Sequence, residues 1–364
     1  MSTLPSHHRA LVVESTSQPL TLETRPTPCP PSAAPSYAFP TPLVPGASAI
    51  GRIASLGPDA VALQRGQLII LDCVVRARDD PATAILLAIH DSGSPRSQKL
   101  ARDIWRDGTF AEYARVPLEN CIPLDEKQLC GELGYEIPDL MHMSYLMVAF
   151  GGLRDIKLEP GETVLVAPAT GEYGGAAVMV AIVMGARVIA MGGNEAELAR
   201  LKKHVLKGSP GASIDTVQMV GDEMADAENI KKLGRTIDAV MDFTPIQASS
   251  LGHNGRISLM CMNENPMVAW TAISKNISFR CKLMYECEDI LQLVKMLESG
   301  VFPRGKEFVD TKAFSLEDWQ ACIDAAAQHR DWQACSHCSQ VSCNLRCSLR
   351  FKLSSQFESL SRWK

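Results

Sequence analysis

One stretch, residues 161–194, constrains this chain more than any other. It contains a five-residue apolar run at 163–167, a turn with several glycines, an apolar helical segment and a second apolar run. This order predicts a strand, a turn, a helix and a second strand, and such units join parallel strands by a right-handed crossover. We therefore expect a parallel sheet in this part of the chain.

Three glycines lie where the first predicted strand passes into the helix, at Gly171, Gly174 and Gly175. A turn without side chains lets a pyrophosphate approach the backbone, and the positive end of the helix dipole favours the anion. The strands on both sides supply the context that a glycine pattern alone lacks. We predict a dinucleotide site here, with Thr170 and Tyr173 beside the turn. A tight strand-to-helix turn without a ligand is the alternative.

The end of the second strand predicts which nucleotide binds. In NAD sites an Asp or Glu about 20 residues after the first glycine accepts a hydrogen bond from the ribose 2′-hydroxyl. That count reaches Met191, and the next residues are Gly192, Gly193 and Asn194, so the first carboxylate is that of Glu195. A site without the acid does not repel a 2′-phosphate. We therefore predict NADP(H) rather than NAD(H), with Gly193 and Asn194 at the adenosine ribose.

Composition predicts a soluble protein of two domains. A chain of 364 residues exceeds what one core usually supports, and its apolar (46%) and charged (21%) fractions are ordinary. The net charge of −5 gives no reason to expect nucleic acid or a membrane surface as a partner. The N-terminal residues show no signal-peptide pattern, and no apolar run approaches the roughly 18 residues of a membrane span. We expect a cytoplasmic protein with a small-molecule substrate.

The two parts of the chain differ in their predicted structure. Up to residue 124 the pattern is β-rich, with a hairpin at 10–14 and 20–24, a strand pair within 49–71 and one short helix around 84–89. Beyond residue 124 strands alternate with helices. That alternation is typical of an α/β doubly wound parallel sheet.

Three segments, in this order, carry a family resemblance: LVPGASAIGRIASLGPDAVALQRGQ (43–67), DGTFAEYARVPLENCIPL (107–124) and FGGLRDIKLEPGETVLVAPATGEYGGAAV (150–178). They resemble the medium-chain dehydrogenase/reductase superfamily of alcohol dehydrogenases and quinone reductases, and most of all its fungal alcohol-dehydrogenase-like branch. The resemblance runs from Arg9 to about Gln328. It implies a β-rich GroES-like catalytic domain, a Rossmann domain, and hydride transfer to or from NAD(P) in the cleft between them.

The resemblance also implies domain boundaries. Residues 1–138 would form the GroES-like substrate domain, 139–284 the Rossmann cofactor-binding domain, and 285–330 a return to the first domain. Residues 331–364 form an atypical tail with the spacing C-x2-C-x4-C-x3-C at Cys335, Cys338, Cys343 and Cys347, with His337 inside it. A zinc knuckle that acts as an interaction module is one interpretation. An aberrant terminus whose cysteines bind nothing is the other.

The zinc ligands of the superfamily are replaced in this chain. Zinc-dependent members carry a Gly-His-Glu motif, and here that position reads Gly46-Ala47-Ser48. Near the domain junction the sequence MHMSYLMVAFGG contains neither Cys nor Asp, and residues 76–106 contain no cysteine for a structural zinc lobe. Because a catalytic zinc needs three protein ligands, we predict no metal site.

These observations predict a zinc-independent oxidoreductase that transfers hydride between NADP(H) and a small carbonyl, alcohol or activated C=C substrate. A nucleotide-binding homologue with impaired catalysis is the alternative. By the same resemblance Phe243 and Met260 would border the nicotinamide. Members of the superfamily commonly form dimers or tetramers, and a homodimer is the partner hypothesis.

Without zinc, a hydroxyl or amide donor must stabilise the developing oxyanion. The candidates in matched regions are Tyr113, Tyr145 and Tyr285, and for each of them an aromatic side chain in the core is the competing interpretation. His142 lies on an apolar helix, where we expect a core histidine with satisfied hydrogen bonds rather than an acid.

Overall fold

The computed structural model describes residues 7–13, 21–26, 42–242, 251–260, 269–328 and 350–352. The chain divides into two units. The first contains the described residues up to 126, residues 312–325 and residues 350–352. The second contains residues 127–311, as far as they are described, and 326–328. In these described ranges, no helix is long and apolar enough to cross a membrane.

The strands are numbered in chain order. Among the described residues, the first unit contains β1 His7–Val12, β2 Thr21–Pro26, β3 Ile50–Ser55, β4 Leu68–Leu71, β5 Val74–Arg76, β6 Ala84–Leu86, β7 Tyr113–Ala114, β8 Cys121–Pro123 and β15 Arg350–Lys352. The described part of the second contains β9 Thr163–Ala167, β10 Arg187–Gly192, β11 Ile214–Gln218, β12 Ala239–Asp242, β13 Arg256–Leu259 and β14 Ser278–Cys281.

The helices are also numbered in chain order: α1 Pro95–Lys99, α2 Met143–Asp155, α3 Glu172–Val183, α4 Glu195–Gly208, α5 Glu223–Lys231, α6 Ala269–Ser274, α7 Cys287–Glu298 and α8 Trp319–Gln328. Shorter turns of 3₁₀ or π type occur at Leu100–Ile104, Leu118–Asn120, Lys127–Glu132, Asp139–His142 and Gly305–Glu307.

The first unit is built mainly from antiparallel pairs. β1 pairs with β2, and β3, β4 and β8 are antiparallel neighbours in a five-stranded sheet of order β7-β15-β3-β4-β8. Its core contains Ile53, Ile69, Leu71 and Ile85, each of which is almost completely buried. The predicted hairpin, the predicted strand pair and the β-rich character are confirmed.

The predicted helix around residues 84–89 is wrong. Residues 84–86 form β6, which pairs antiparallel with β5. Val75, Ile85 and Leu87 are buried in the core, so alternate residues of this segment face inward. Pairing with a strand and burial of one face outweigh the local helix preference, which is a weak determinant of structure.

The second unit contains a six-stranded, fully parallel sheet of order β11-β10-β9-β12-β13-β14. From β9 the chain first moves outward through β10 and β11, and then returns to the other side of β9 with β12. This is the doubly wound order of Rossmann sheets. β9 is buried along its whole length, as expected for a strand with helices on both faces of its sheet. The predicted α/β class is confirmed.

The structure divides the chain differently from the boundaries that the resemblance implied. Residues 127–138 and 285–311 belong to the second unit, although the first domain was expected to contain them. α7 packs on α2, where the Arg154 Nη1 atom lies 2.9 Å from Asp289 Oδ1. A Cβ at Gly151 would lie 2.6 Å from the Cβ of Tyr285, so the chain after β14 contacts α2 closely. This packing holds the segment on the second unit, and the chain re-enters the first at residue 312.

The predicted tail contributes one described element. β15 pairs in parallel with β3 and with β7 in the sheet of the first unit. The rest of residues 331–364, including Cys335, Cys338, Cys343 and Cys347, lies outside the described residues.

The start of α3 lies very close to the end of β9. A Cβ at Gly174 would stand 1.9 Å from the carbonyl oxygen of Pro168, a distance that no side chain tolerates. A Cβ at Gly171, one turn earlier, would have no protein atom within 4 Å. The two glycines therefore serve different purposes: Gly174 allows the helix to pack, and Gly171 leaves space open.

Gly174→Ala should lower the free energy of unfolding by about 1–3 kcal/mol, because the new methyl group overpacks the contact between helix and turn. Urea denaturation followed by circular dichroism measures this change. Gly171→Ala is the matched control and should be close to wild type. Alanine favours a helix over glycine by up to about 1 kcal/mol, so an unchanged or raised stability of Gly174→Ala would contradict the packing argument.

Candidate functional site

The candidate site lies at the carboxyl edge of the parallel sheet, where the strand order reverses. β9 has β10 on one side and β12 on the other, so the connections after β9 and β12 leave in opposite directions. In open α/β sheets ligands bind in the crevice that this reversal creates. Residues 168–171, which lead from β9 to α3, lie at this edge.

The turn after β9 presents bare backbone. Gly171 is the N-cap residue of α3, with φ −88° and ψ 175°, and its position provides no side-chain cap. The carbonyl oxygen of Gly171 accepts a hydrogen bond from the amide of Gly175 at 2.7 Å, which starts the helix. Glu172 adds a carboxyl group to the first turn, and Tyr173 is partly exposed. The open space at Gly171 and the helix N-terminus suit an anion, whereas the carboxylate of Glu172 opposes one.

The two halves of the predicted site lie together. The side chain of Thr170 lies 3.1 Å from the position that a Cβ of Gly192 would occupy, and the amide of Ala169 donates to the carbonyl of Met191 at 2.7 Å. The turn after β9 and the end of β10 are therefore adjacent, as the sequence predicted. Gly192 was not predicted as a site residue. Its signal was the Gly-Gly pair that ends the second apolar run.

Asn194 is the N-cap residue of α4. Its Oδ1 atom accepts hydrogen bonds from the amides of Ala196 at 3.0 Å and Glu197 at 3.3 Å. Because backbone amides donate to it, this atom is the oxygen, and the side-chain nitrogen, a donor, is not used by the cap. A Cβ at Gly193 would meet nothing within 4 Å. The residues at which the count from Gly171 predicts an acid in NAD sites, Met191 to Asn194, therefore contain no carboxylate, and they end in a neutral amide beside open space.

The predicted nicotinamide contacts are only partly described. Phe243 lies outside the described residues. Met260 follows β13, and its amide donates to the carbonyl of Asp242 at 3.2 Å. Its sulfur lies 2.8 Å from the position of a Cβ at Gly152, so the side chain packs toward α2. A contact of either residue with nicotinamide stays a prediction.

The candidate tyrosines lie in three different places. Tyr145 on α2 is 4% exposed, and its ring packs edge-on against that of Tyr173, with centroids 5.1 Å apart. Tyr285 is buried where its Cβ approaches Gly151 of α2. Tyr113 belongs to the first unit, with its ring 6.1 Å from that of His8. Tyr145 therefore contacts a residue in the first turn of α3, next to the predicted nucleotide site. Their catalytic roles stay predictions.

His142 is a core histidine, but the expected hydrogen bonds are absent. It is 3% exposed, its ring lies 5.8 Å from that of Tyr145 and 5.5 Å from that of Phe308, and in the described part of the chain neither ring nitrogen has a hydrogen-bond partner. Burial, and then the nearby His204, lower the pKa of His142 to about 4. The imidazole is therefore neutral at pH 7.

The segment at the zinc-motif position is held by backbone contacts. The amide of Thr109 donates to the carbonyl of Gly46, and its hydroxyl donates to the carbonyl of Ser48, both at 2.9 Å. Ala47 between them is buried. Within the described ranges, no group of three or more His, Cys, Asp or Glu side chains is placed to hold a metal ion.

His142→Leu should raise the free energy of unfolding at pH 7 by about 1 kcal/mol, since it removes two buried nitrogens that make no hydrogen bond. In the wild type the unfolded chain binds a proton near pH 6.5 and the folded chain only near pH 4. The contribution of His142 to the free energy of unfolding is therefore complete above pH 6.5, and it falls by about 3 kcal/mol as the pH is lowered to 4.

Urea denaturation at several pH values between 7 and 4.5 measures this dependence. His142→Leu should make the curve flatter. A variant at 142 that loses stability at pH 7 and keeps the wild-type pH dependence would contradict a neutral buried imidazole.

Known protein families and solved structures show which fold this chain resembles. Residues 30–126 match the alcohol dehydrogenase GroES-like domain. A comparison with curated protein sequences gives no match. Among solved structures, the chain is similar to a short chain alcohol dehydrogenase (rspB) from E. coli CFT073 complexed with NADH, with a TM-score of 0.70, 17% identity and coverage of 96% of this chain and 100% of that one.

Two archaeal enzymes are similar as well. The cobalt and zinc bound alcohol dehydrogenase from Pyrobaculum aerophilum gives a TM-score of 0.63 at 20% identity, covering 87% of this chain and 95% of that one. The alcohol dehydrogenase from Aeropyrum pernix gives 0.65 at 19% identity, covering 89% and 98%. The chain therefore has the fold of alcohol dehydrogenases, with a GroES-like domain in residues 30–126 and a Rossmann-like parallel sheet.

Proposed function

We propose that this protein is an oxidoreductase that uses NADP(H) without a catalytic zinc. It reduces a small carbonyl compound or an activated C=C bond, or oxidises the corresponding alcohol. One observation carries the proposal. The turn at Gly171 is open and lies at the reversal point of a parallel sheet, and the neighbouring strand β10 is followed by Asn194 rather than by an acid.

The shape of the turn fits a dinucleotide. Gly171 and Gly193 both face space that no protein atom fills within 4 Å of an added Cβ, so backbone is accessible at both positions. The N-terminus of α3, whose dipole favours a pyrophosphate, begins at Gly171. The carboxylate of Glu172 reduces this attraction. We expect it to weaken binding of the cofactor rather than prevent it.

The preference for NADP(H) rests on Asn194. An acid at this position would accept from a 2′-hydroxyl and repel a 2′-phosphate. The oxygen of Asn194 is engaged in capping α4, which leaves the side-chain nitrogen to donate to an anionic or hydroxyl oxygen. A hydrogen bond from this nitrogen to a charged 2′-phosphate is stronger than one to a neutral 2′-hydroxyl, so we expect the site to favour the phosphorylated cofactor.

When bound, the nicotinamide supplies or accepts the hydride. The protein has to position the substrate carbonyl and stabilise the negative charge that develops on its oxygen. Tyr145 is our candidate donor, because its ring packs on Tyr173 beside the nucleotide turn. The proposal that no zinc takes part rests on the ligand positions, since Ala47 stands where the zinc motif has a histidine and has no group that could bind a metal.

The fold comparison is consistent with this proposal. The E. coli protein of the same fold was solved with NADH, so the fold accepts a nicotinamide dinucleotide. The Pyrobaculum protein holds zinc and cobalt. The proposed enzyme would differ from that protein in its metal requirement and from the E. coli protein in its preferred cofactor.

Titration of the purified protein with NADPH and NADH tests the preference. NADPH should bind at least about tenfold more tightly, equivalent to about 1.4 kcal/mol. Asn194→Asp should reverse the order, because the new carboxylate repels the 2′-phosphate while aspartate caps α4 as well as asparagine does. Asn194→Ser is the matched control, since serine also caps the helix and is neutral, and it should keep the NADPH preference.

Turnover of enones and ketones, measured as the loss of NADPH absorbance, distinguishes an active enzyme from a homologue that only binds the nucleotide. Tight NADPH binding without any turnover would favour a nucleotide-binding homologue with impaired catalysis. Binding of neither cofactor by a folded protein would contradict the proposed site altogether.

A further inference from the structure

A cavity with a volume of about 730 Å³ lies within the first unit. Its lining residues all fall between Arg76 and Glu119, so it shares no residue with the nucleotide turn. Small-molecule sites typically measure about 300–1,000 Å³. The cavity is therefore large enough for an organic ligand.

Positive charge dominates the lining of this cavity. Three carboxylates, those of Asp79, Asp80 and Glu119, face a larger set of basic residues. The five basic residues are Arg76, Arg78, Arg96, Lys99 and Arg115. The whole chain carries a net charge of −5, so an excess of cations around one cavity runs against the general charge of the protein.

Two of the three carboxylates form hydrogen bonds or ion pairs with other residues of the lining. Asp80 accepts hydrogen bonds from the Thr83 hydroxyl at 2.7 Å and from Arg96 Nη1 at 3.0 Å. These two hydrogen bonds lower the pKa of Asp80, so it stays ionised at pH 7. Glu119 forms an ion pair with Arg78. Each of these two carboxylates offsets one lining cation, and the five basic residues still exceed the three carboxylates by two.

Part of the lining is apolar and rigid. Leu100, Ile104 and Trp105 contribute to it, and Leu100 is 6% exposed. The guanidinium of Arg115 lies 4.9 Å from the centre of the Trp105 ring and donates to the carbonyl of Ile104. These contacts hold one cation in a fixed place beside an apolar wall. The cavity thus combines a surface for an apolar group with donors for an anionic one.

We propose that this cavity binds a small organic anion that carries a phosphate or carboxylate group on an apolar or aromatic body. Arginine recognises both kinds of oxyanion because its planar fork donates two parallel hydrogen bonds. The apolar wall formed by Leu100 and Ile104 would receive the body of the ligand. The site is independent of the proposed nucleotide site.

Isothermal titration calorimetry of the full chain with 1-naphthyl phosphate tests this proposal. NADPH is kept at saturation so that the nucleotide turn is occupied. The phosphate probe should bind, and 1-naphthol, which has the same ring without the charge, should bind at least about tenfold more weakly. 1-Naphthoate distinguishes the two oxyanions, because tighter binding of one of them identifies the preferred group. Affinity for the charged probes should fall as salt rises.

The double variant Arg96→Gln, Lys99→Gln removes two cations from the lining. Both side chains are exposed on the short helix α1, so we expect the fold to be retained. Binding of the phosphate probe should weaken about tenfold, as expected for the loss of charge-assisted contacts at a partly exposed site. Lys231→Gln, Lys232→Gln makes the same change of charge at α5 and should bind like the wild type.

Three results would overturn the proposal. Equal binding of 1-naphthol would show an apolar pocket without anion recognition. Equal binding by the Arg96→Gln, Lys99→Gln variant, with wild-type circular dichroism, would place the probe elsewhere. Displacement of the probe by further NADPH would mean that both ligands share the nucleotide site.

Discussion

The close approach of α3 to the end of β9 is the contact on which the candidate site depends. Gly174 has no room for a side chain against the carbonyl of Pro168, so the helix begins directly above the turn. This places Gly171 at the N-cap, where backbone faces open space. The same closeness brings Thr170 over Gly192, which aligns the turn with the end of β10. One steric constraint thus sets the position of the helix dipole and of the bare backbone to which we assign the nucleotide.

The proposed selection of the nucleotide by Asn194 is linked to a second local requirement, the capping of α4. The two backbone amides that Asn194 satisfies would otherwise lack an intrahelical partner, and Asn, Asp and Ser can all satisfy them. The cap therefore restricts the residue to a small polar set without fixing its charge. In the proposed site, the charge of this residue could therefore change, and the preferred cofactor with it, while α4 stays capped.

The sequence predicted the parts of the fold that local patterns determine. β9 and β10 were predictable because both faces of a parallel strand are covered, which produces an unbroken apolar run such as 163–167. The end of α7 is a local signal of the same kind: the helix ends at Glu298, and Gly300, two residues further on, has φ +75°, a conformation that favours glycine. The turn at Gly171 was found for the same reason: glycine is placed where backbone has to be exposed.

Long-range contacts account for the differences between the predicted and the observed fold. Residues 84–86 form a strand because β5 pairs with them, and nothing within 84–89 itself encodes that partner. The segment 285–311 belongs to the second unit because Asp289 meets Arg154, more than a hundred residues earlier in the chain. For His142 the sequence indicated burial correctly, but only the surrounding rings show that its nitrogens lack hydrogen bonds. The basic cavity was not foreseen, because its cations are spread over residues 76–115.

The most direct test of the account is the affinity of Gly171→Ala for NADPH, measured beside that of the wild type by calorimetry. A Cβ at this position meets no protein atom, so the variant should fold with wild-type stability. Its methyl group would occupy the space assigned to the pyrophosphate, and the affinity should fall at least about tenfold. A folded variant that binds NADPH as tightly as the wild type would contradict the claim that the cofactor lies over Gly171.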